Sequence, residues 1–193
     1  MALRWSDAGP SRTLDFDVET LAAGYADPEW VPSRITAISW SWLDEDEIHT
    51  RTILDYCNSL NKYLSMSFLG CKPMLEEFVA VFNEADTITG HNIGRFDIGV
   101  MNAELMRLQL PTLRPKRVLD TIRLAARSKG FKKGQDVMAD VLDVPAEKKA
   151  MNWAQWQRAY AEPGWPEVRE RVSGDVIQHK LLLGRLLELG YLR

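Results

Sequence analysis

The sequence has few of the residues that build zinc sites, disulfide frameworks or membrane spans. It contains two cysteines, three histidines and no C-x-x-C pair among 193 residues, so a zinc site is not expected. No run approaches the roughly 20 apolar residues that cross a bilayer, and the first residues, MALRWSDAGPSRT, lack the apolar core of a signal peptide. We therefore expect a cytoplasmic protein without a membrane partner. Cys57 and Cys71 could pair, but in that compartment both are expected to be reduced.

The net charge is small, but the charged residues are unevenly distributed. The net charge is -3, and the hydrophobic fraction of 46% is that of an ordinary globular protein. Residues 114–133 nevertheless carry eight basic side chains and one acidic one. This basic run is either a phosphate-contacting surface, in which Lys132 and Lys133 take part, or a solvated face. The acidic residues 44–47 lie between two strand-like segments and are typical of a hairpin tip.

Hydrophobic periodicity predicts an α/β protein. Strands are expected at 14–20, 34–43, 48–54 and 86–90, with a short fifth strand leading into a helix within 117–128. Further helices are expected at 73–85, 93–110, 134–144, 150–161 and from about 166 to 189. Early hairpin strands followed by β-α-β crossovers predict a mixed sheet with helices on both faces. The length suits a single domain, 1–193, with a core of about 13–189.

The first predicted strand, LDFDVET, carries carboxylates at every second position. Residues two apart on a strand point the same way, so Asp17 and Glu19 project together and repel. A divalent cation between them would relieve that repulsion, and a solvated strand face is the alternative. The spacing alone is weak, because Asp27 and Glu29 repeat it in a proline-containing loop.

Two later segments add acidic residues. GHNIGRFD follows the fourth predicted strand and places Asp97 in the first turns of a helix, where a carboxylate also suits the helix dipole. His91 and Asn92 are either cap and turn residues or groove residues. On the last helix Asp175 lies beside the apolar stripe, an unusual place for an unpaired charge. His179, one turn later, is expected to be an exposed histidine, with a role as general base as the alternative.

Together, FDVET, GHNIGRFD and SGDVIQHKLLLGRL resemble the three motifs of the DEDD (DnaQ-like) superfamily of 3'→5' exonucleases, over roughly residues 13–189. The resemblance implies a ribonuclease-H-like α/β fold with a mixed five-stranded sheet. It implies that Asp17, Glu19, Asp97 and Asp175 are catalytic and hold two Mg²⁺ or Mn²⁺ ions. It also implies cleavage of single-stranded DNA or RNA 3' ends to nucleoside 5'-monophosphates, with Thr20, His91 and Asn92 at the substrate.

The sequence departs from that family where the water-orienting residue stands. The surrounding motif is closer to the tyrosine type, but Arg171 occupies the tyrosine position, four residues before Asp175. Arginine cannot act as a base, so we expect it to pair with Asp175 or to contact the substrate phosphate. A catalytically weak domain that binds nucleic acid is the alternative function. The sequence contains no polymerase region, which predicts either a stand-alone nuclease or a proofreading-type accessory subunit with a polymerase or replication partner.

Overall fold

A computed structural model of the chain describes residues 12–21, 34–57, 72–127, 134–145 and 150–192. The strands in these ranges are β1 (Thr13–Leu21), β2 (Arg34–Trp42), β3 (His49–Thr52), β4 (Thr87–Gly90) and β5 (Arg117–Asp120). The helices are α1 (Lys72–Glu84), α2 (Asp97–Arg107), α3 (Thr121–Arg127), α4 (Gln135–Val141), α5 (Trp153–Ala161) and α6 (Pro166–Glu188). None of the helices in the described ranges combines the length and the apolar character that crossing a membrane requires.

The strands form one mixed sheet in the order β3-β2-β1-β4-β5. β1 is antiparallel to β2 and parallel to β4, and β4 is parallel to β5. The predicted five-stranded mixed sheet is therefore confirmed. β1 is its central strand, which is why the apolar residues that alternate with the carboxylates, Leu14, Phe16 and Val18, are all buried.

Helices cover both faces of this sheet, as expected. On one face of β1, the ring of Phe16 packs against Phe78 of α1, with ring centroids 5.0 Å apart. On the other face, Asp15 forms a hydrogen bond of 2.7 Å with His179 of α6. Since successive strand residues point to opposite faces, α1 and α6 lie on opposite sides of the sheet. α6 packs along β1, β2 and β3.

The segment between β4 and α2 is a tight turn, and the helix begins at Asp97 instead of the predicted residue 93. Asn92 has a φ of 65°, a left-handed conformation that a helix cannot contain. The carboxylate of Asp120, at the end of β5, accepts the backbone N–H groups of Asn92 at 2.8 Å and Gly94 at 3.1 Å. The N–H of Ile98 bonds the carbonyl of Ile93, five residues earlier, which interrupts the four-residue spacing of helical hydrogen bonds before Asp97.

Candidate metal centre

The acidic residues of β1 lie where this strand runs past the end of β4. Pairing between the two strands ends at Asp15 and Thr89. A Cβ atom at Gly90 would lie 2.8 Å from Cδ1 of Ile93 and 3.1 Å from the carbonyl oxygen of Phe16, so a larger residue would crowd the turn away from β1. Asp17 and Glu19 are therefore beyond the β4 ladder, at the carboxyl edge of the parallel strands, where α/β sheets form clefts.

A β-bulge in β2 fixes the backbone of Glu19. Glu19 pairs with Ala37 and Thr20 with Ile35, which leaves Thr36 as the extra residue. Bulges of this kind redirect the side chains around them. The Thr36 hydroxyl donates to the carbonyl oxygen of Glu19 at 3.1 Å. Its single proton is used there, so the Tyr160 hydroxyl donates to Thr36 across 2.7 Å.

Tyr160 lies near the acidic residues but is not placed to act as a base. Burial raises the pKa of Tyr160; the hydrogen bond with Thr36 opposes the rise, and the negative charge of Glu19 adds to it. A phenol that stays protonated and donates its hydrogen bond to Thr36 is not available as a base. Its contribution is to hold the bulge, and with it the backbone of Glu19.

Three carboxylates meet at the open end of β1. Oxygen atoms of Asp17, Glu19 and Asp175 all lie within 4.8 Å of one another. Asp175 comes from α6 and is 3% exposed, while Asp17 and Glu19 are half-buried. Carboxylate oxygens are the ligands that Mg²⁺ and related hard cations prefer. The donor set therefore fits a divalent metal ion.

Asp97 lies directly beside this cluster without belonging to the group of three. Its Oδ1 accepts the backbone N–H of Val18, the residue between Asp17 and Glu19, at 3.1 Å. Burial raises the pKa of Asp97 to about 7; the hydrogen bond from Val18 opposes the rise, and the charges of Asp120 and Asp175 add to it. An anionic Asp97 is thus unfavourable here until a cation arrives.

Arg171 contacts two of the three clustered carboxylates. Its Nη1 donates to Oδ1 of Asp175, one helical turn away, and its Nε lies 3.7 Å from Oε1 of Glu19. The arginine side chain is 13% exposed. The expected pairing of Arg171 with Asp175 is therefore present, and the same guanidinium also reaches across to β1.

His179 is buried, so the expectation of an exposed helical histidine is wrong. Its ring is 2% exposed and bonds Asp15 through Nδ1 at 2.7 Å and the Thr121 hydroxyl through Nε2 at 3.1 Å. The Thr121 hydroxyl also contacts His91 Nδ1 at 2.9 Å. Burial raises the pKa of Asp15, and the partnership with His179 opposes the rise. Asp15, to which the sequence assigned no role, thus belongs to a buried chain of hydrogen bonds.

Of the remaining candidate residues, some lie near the carboxylates and others lie outside the described part of the chain. Thr20 follows the bulge position on β1, and His91 and Asn92 lie in the turn after β4. Lys132 and Lys133 lie outside the described residues, as does Cys71, while Cys57 is buried. Sequence reasoning missed Asp120, which organises the turn before Asp97. Two sequence features could have pointed to Asp120: it is the single acidic residue in the basic run, and it stands at the end of a predicted strand.

Comparison with known proteins extends the account of the fold. No protein-family model matches the chain, and no curated protein sequence matches it. Among solved structures, the chain is similar to the family B DNA polymerase from the hyperthermophilic archaeon Pyrobaculum calidifontis, with a TM-score of 0.69 at 16% sequence identity. The match covers 92% of this chain and 25% of the polymerase, so the chain spans about a quarter of that protein. With the mixed five-stranded sheet, it confirms a ribonuclease-H-like α/β fold.

Proposed function

We propose that the chain is a metal-dependent 3'→5' exonuclease of the DEDD (DnaQ-like) type. It would hydrolyse phosphodiester bonds at single-stranded nucleic acid ends and release nucleoside 5'-monophosphates. The observation that carries the proposal is the meeting of Asp17, Glu19 and Asp175 within 4.8 Å, with Asp97 held next to them by the Val18 amide. These residues come from three separate motifs of the sequence, in the order of the superfamily's motifs.

The four carboxylates would hold two Mg²⁺ or Mn²⁺ ions. Bound there, such ions would activate a water molecule and stabilise the oxygen that leaves phosphorus. Asp17 and Glu19 project from the rigid central strand, and Asp175 from a helix packed on that strand, so their positions are fixed by the core. Asp97 would have to give up its proton to become a ligand. Arg171 stays protonated, so water activation would depend on the ions.

The substrate would approach across the carboxyl edge of the sheet. Thr20, His91, Asn92 and Arg171 would contact the terminal nucleotides, and Lys132 and Lys133 would contact phosphates from the basic run. These residues would belong to one exonuclease domain, 1–193, with its core at about 13–189. A His91→Ala variant should then raise KM more than it lowers kcat, and an unchanged KM would remove His91 from the groove.

Two observations favour second candidates. Arg171 stands where the superfamily has tyrosine, which favours a catalytically weak domain that binds nucleic acid. The similarity to a DNA polymerase favours an accessory subunit that works beside a polymerase. Both candidates keep the metal centre and differ from the first proposal in cleavage rate or in partner.

A nuclease assay separates the exonuclease from the catalytically weak domain. Single-stranded DNA and RNA, each labelled near the 5' end, should shorten stepwise from the 3' end with Mg²⁺ or Mn²⁺, and Mn²⁺ should give the higher rate. Asp17→Asn should abolish cleavage and remove most of the rise in melting temperature that Mn²⁺ causes by mass action. Asp44→Asn, at the exposed hairpin tip, is the matched control. Binding without shortening would favour the weak domain, and an Asp17→Asn variant of normal activity would refute the site.

A further inference from the structure

The arginine that replaces the family's tyrosine already provides a positive charge to the candidate metal centre. Its guanidinium bonds Asp175 and lies 3.7 Å from Glu19, so it spans the helix side and the strand side of the cluster. A cation between carboxylates lowers their mutual repulsion, as a metal ion would. In the metal-free protein, Arg171 therefore performs part of that charge compensation.

A metal ion bound by Asp175 and Glu19 would compete with Arg171 for the same oxygen atoms. It would also meet a second positive charge that is 13% exposed and thus weakly screened by solvent. The ion can bind well only if the guanidinium moves to another anionic partner. Such a movement is open to it, because Arg171 and Asp175 are joined by a side-chain interaction within one helix, which breaks without moving the backbone.

A phosphodiester end is the partner that would draw the guanidinium away. Arginine presents planar, parallel N–H groups that match phosphate oxygens, and such charge-assisted bonds are strong. The phosphate to be cleaved must lie next to the ions held by Asp175 and Glu19. A side chain that contacts those carboxylates can therefore reach the phosphate by a rotation of its own bonds.

We propose that Arg171 couples metal binding to substrate binding: it bonds the carboxylate cluster in the free protein and transfers to the substrate phosphate when a 3' end arrives. The inference rests on the proposed function, since it takes the cluster to be a metal centre. Thermodynamic linkage makes the coupling mutual, so metal should tighten substrate binding by the factor by which substrate tightens metal binding. The free protein would then hold its metal weakly until nucleic acid is present.

The test measures Mn²⁺ affinity by electron paramagnetic resonance, with and without a short single-stranded DNA. Its terminal linkages are phosphorothioates, which slow cleavage, and a gel checks that the DNA stays intact during the titration. In the wild type, the DNA should tighten Mn²⁺ binding on the order of tenfold. Arg171→Gln should bind Mn²⁺ more tightly than wild type without DNA. DNA should then tighten Mn²⁺ binding by a smaller factor than in the wild type, because only the direct contact between phosphate and ion remains. Arg171→Lys keeps the charge without the planar pair of donors, so its affinity should fall between the two.

Arg169→Gln is the matched control, because it removes one positive charge two residues earlier on α6. Arg169 bonds Asp55 and the Thr52 hydroxyl, not the cluster. It should behave as wild type in the Mn²⁺ titration if direct bonding to the cluster, instead of general charge, determines affinity. Mn²⁺ bound to the DNA itself is subtracted with the Asp17→Asn variant.

The outcomes distinguish this inference from the proposed function. If Mn²⁺ binds the wild type and Arg171→Gln equally, and Asp17→Asn abolishes binding, the metal centre stands and the coupling role of Arg171 is overturned. An equal gain in Arg169→Gln also overturns it. If neither the wild type nor any Arg171 variant binds Mn²⁺ more tightly than Asp17→Asn, with or without DNA, both proposals fail.

Discussion

Carboxylates of β1 meet a basic side chain of α6 at two places. The two places differ in how many acidic side chains face each basic one. At the first, Asp15 faces His179, one acid against one base, and both are almost fully buried. At the second, Arg171 contacts Glu19 and Asp175, and Asp17 and Asp97 lie beside them. Within the described residues, the same strand face and the same helix thus carry a balanced end and an end where four acidic side chains face one guanidinium, here called the surplus end.

The two ends differ in whether their charged groups can be explained by folding alone. The balanced end is complete, because the His179 ring has Asp15 on one nitrogen and Thr121 on the other. Such a buried pair need not increase stability relative to apolar residues, but it tolerates the loss of neither partner. The surplus end gains nothing for folding from its extra carboxylates, since like charges at short distance are destabilising. A cation bound between these carboxylates would offset that repulsion.

The largest effect is expected when the balanced end is broken. Asp15→Ala leaves His179 buried without its carboxylate and should lower the free energy of unfolding by about 3–5 kcal/mol. The double replacement Asp15→Leu with His179→Leu should recover much of that loss, because no polar group is then left unsatisfied. Urea unfolding of the metal-free protein measures both, and Mn²⁺ affinity should remain unchanged.

An exposed acid–histidine pair provides the control for this experiment. Glu47 lies 3.6 Å from His49, and its side chain is 72% exposed. Glu47→Ala should therefore change stability by less than about 1 kcal/mol, as surface pairs generally do. If Asp15→Ala leaves stability intact and instead removes Mn²⁺ binding, Asp15 belongs to the metal centre and the balanced end does not exist.

The surplus end should make metal-free stability depend on pH. The folded protein holds the Asp97 proton up to about pH 7, whereas an ordinary aspartate in the unfolded chain loses it near 3.8. Between these values the unfolded state binds fewer protons, so stability falls as pH rises through this window, by at most about 1.4 kcal/mol for each pH unit. Chemical denaturation in the presence of a chelator measures this slope, and Asp97→Asn should remove it.

The pKa of Asp55 is shifted in the opposite direction from that of Asp97. Although burial favours its protonated form, hydrogen bonds from Arg169 and Thr52 lower the pKa of Asp55. Its contribution to stability is present above the unfolded value and is lost as pH falls, so Asp55→Asn should leave the slope between pH 4 and 7 in place. A metal-free protein whose stability rises with pH across that window would contradict the account of the surplus end.

Much of the surplus end could be predicted from sequence, and little of the balanced end. The two-residue period of a strand places Asp17 beside Glu19, and a helical stripe places Asp175 at the edge of the core, because both follow from local geometry. The pair of Asp15 and His179 joins residues 164 apart and exists only after α6 has packed on β1. Asp120 likewise bonds the turn before Asp97 from another strand, and Tyr160 bonds the bulge residue Thr36 from a distant helix. Long-range interactions of this kind leave no period in the sequence.

The smallest expected effect concerns the basic side chains of residues 114–133. Nucleic acid is negatively charged, so positive side chains must offset its repulsion from the carboxylates of the surplus end. Residues 114–133 carry eight basic side chains, and we predict that Lys132 and Lys133 contact phosphates. Replacing both by alanine should weaken binding to single-stranded DNA of any sequence. The slope of log affinity against log salt concentration should also become shallower, by about 0.7 for each phosphate that is no longer neutralised. Fluorescence anisotropy at several salt concentrations measures this slope, with Lys72→Ala, on the first turn of α1, as a control that removes one positive charge elsewhere. An unchanged slope would make the two lysines solvated surface residues, and the positive charge that offsets the carboxylates at the substrate would then have to come from Arg171 and the metal ions.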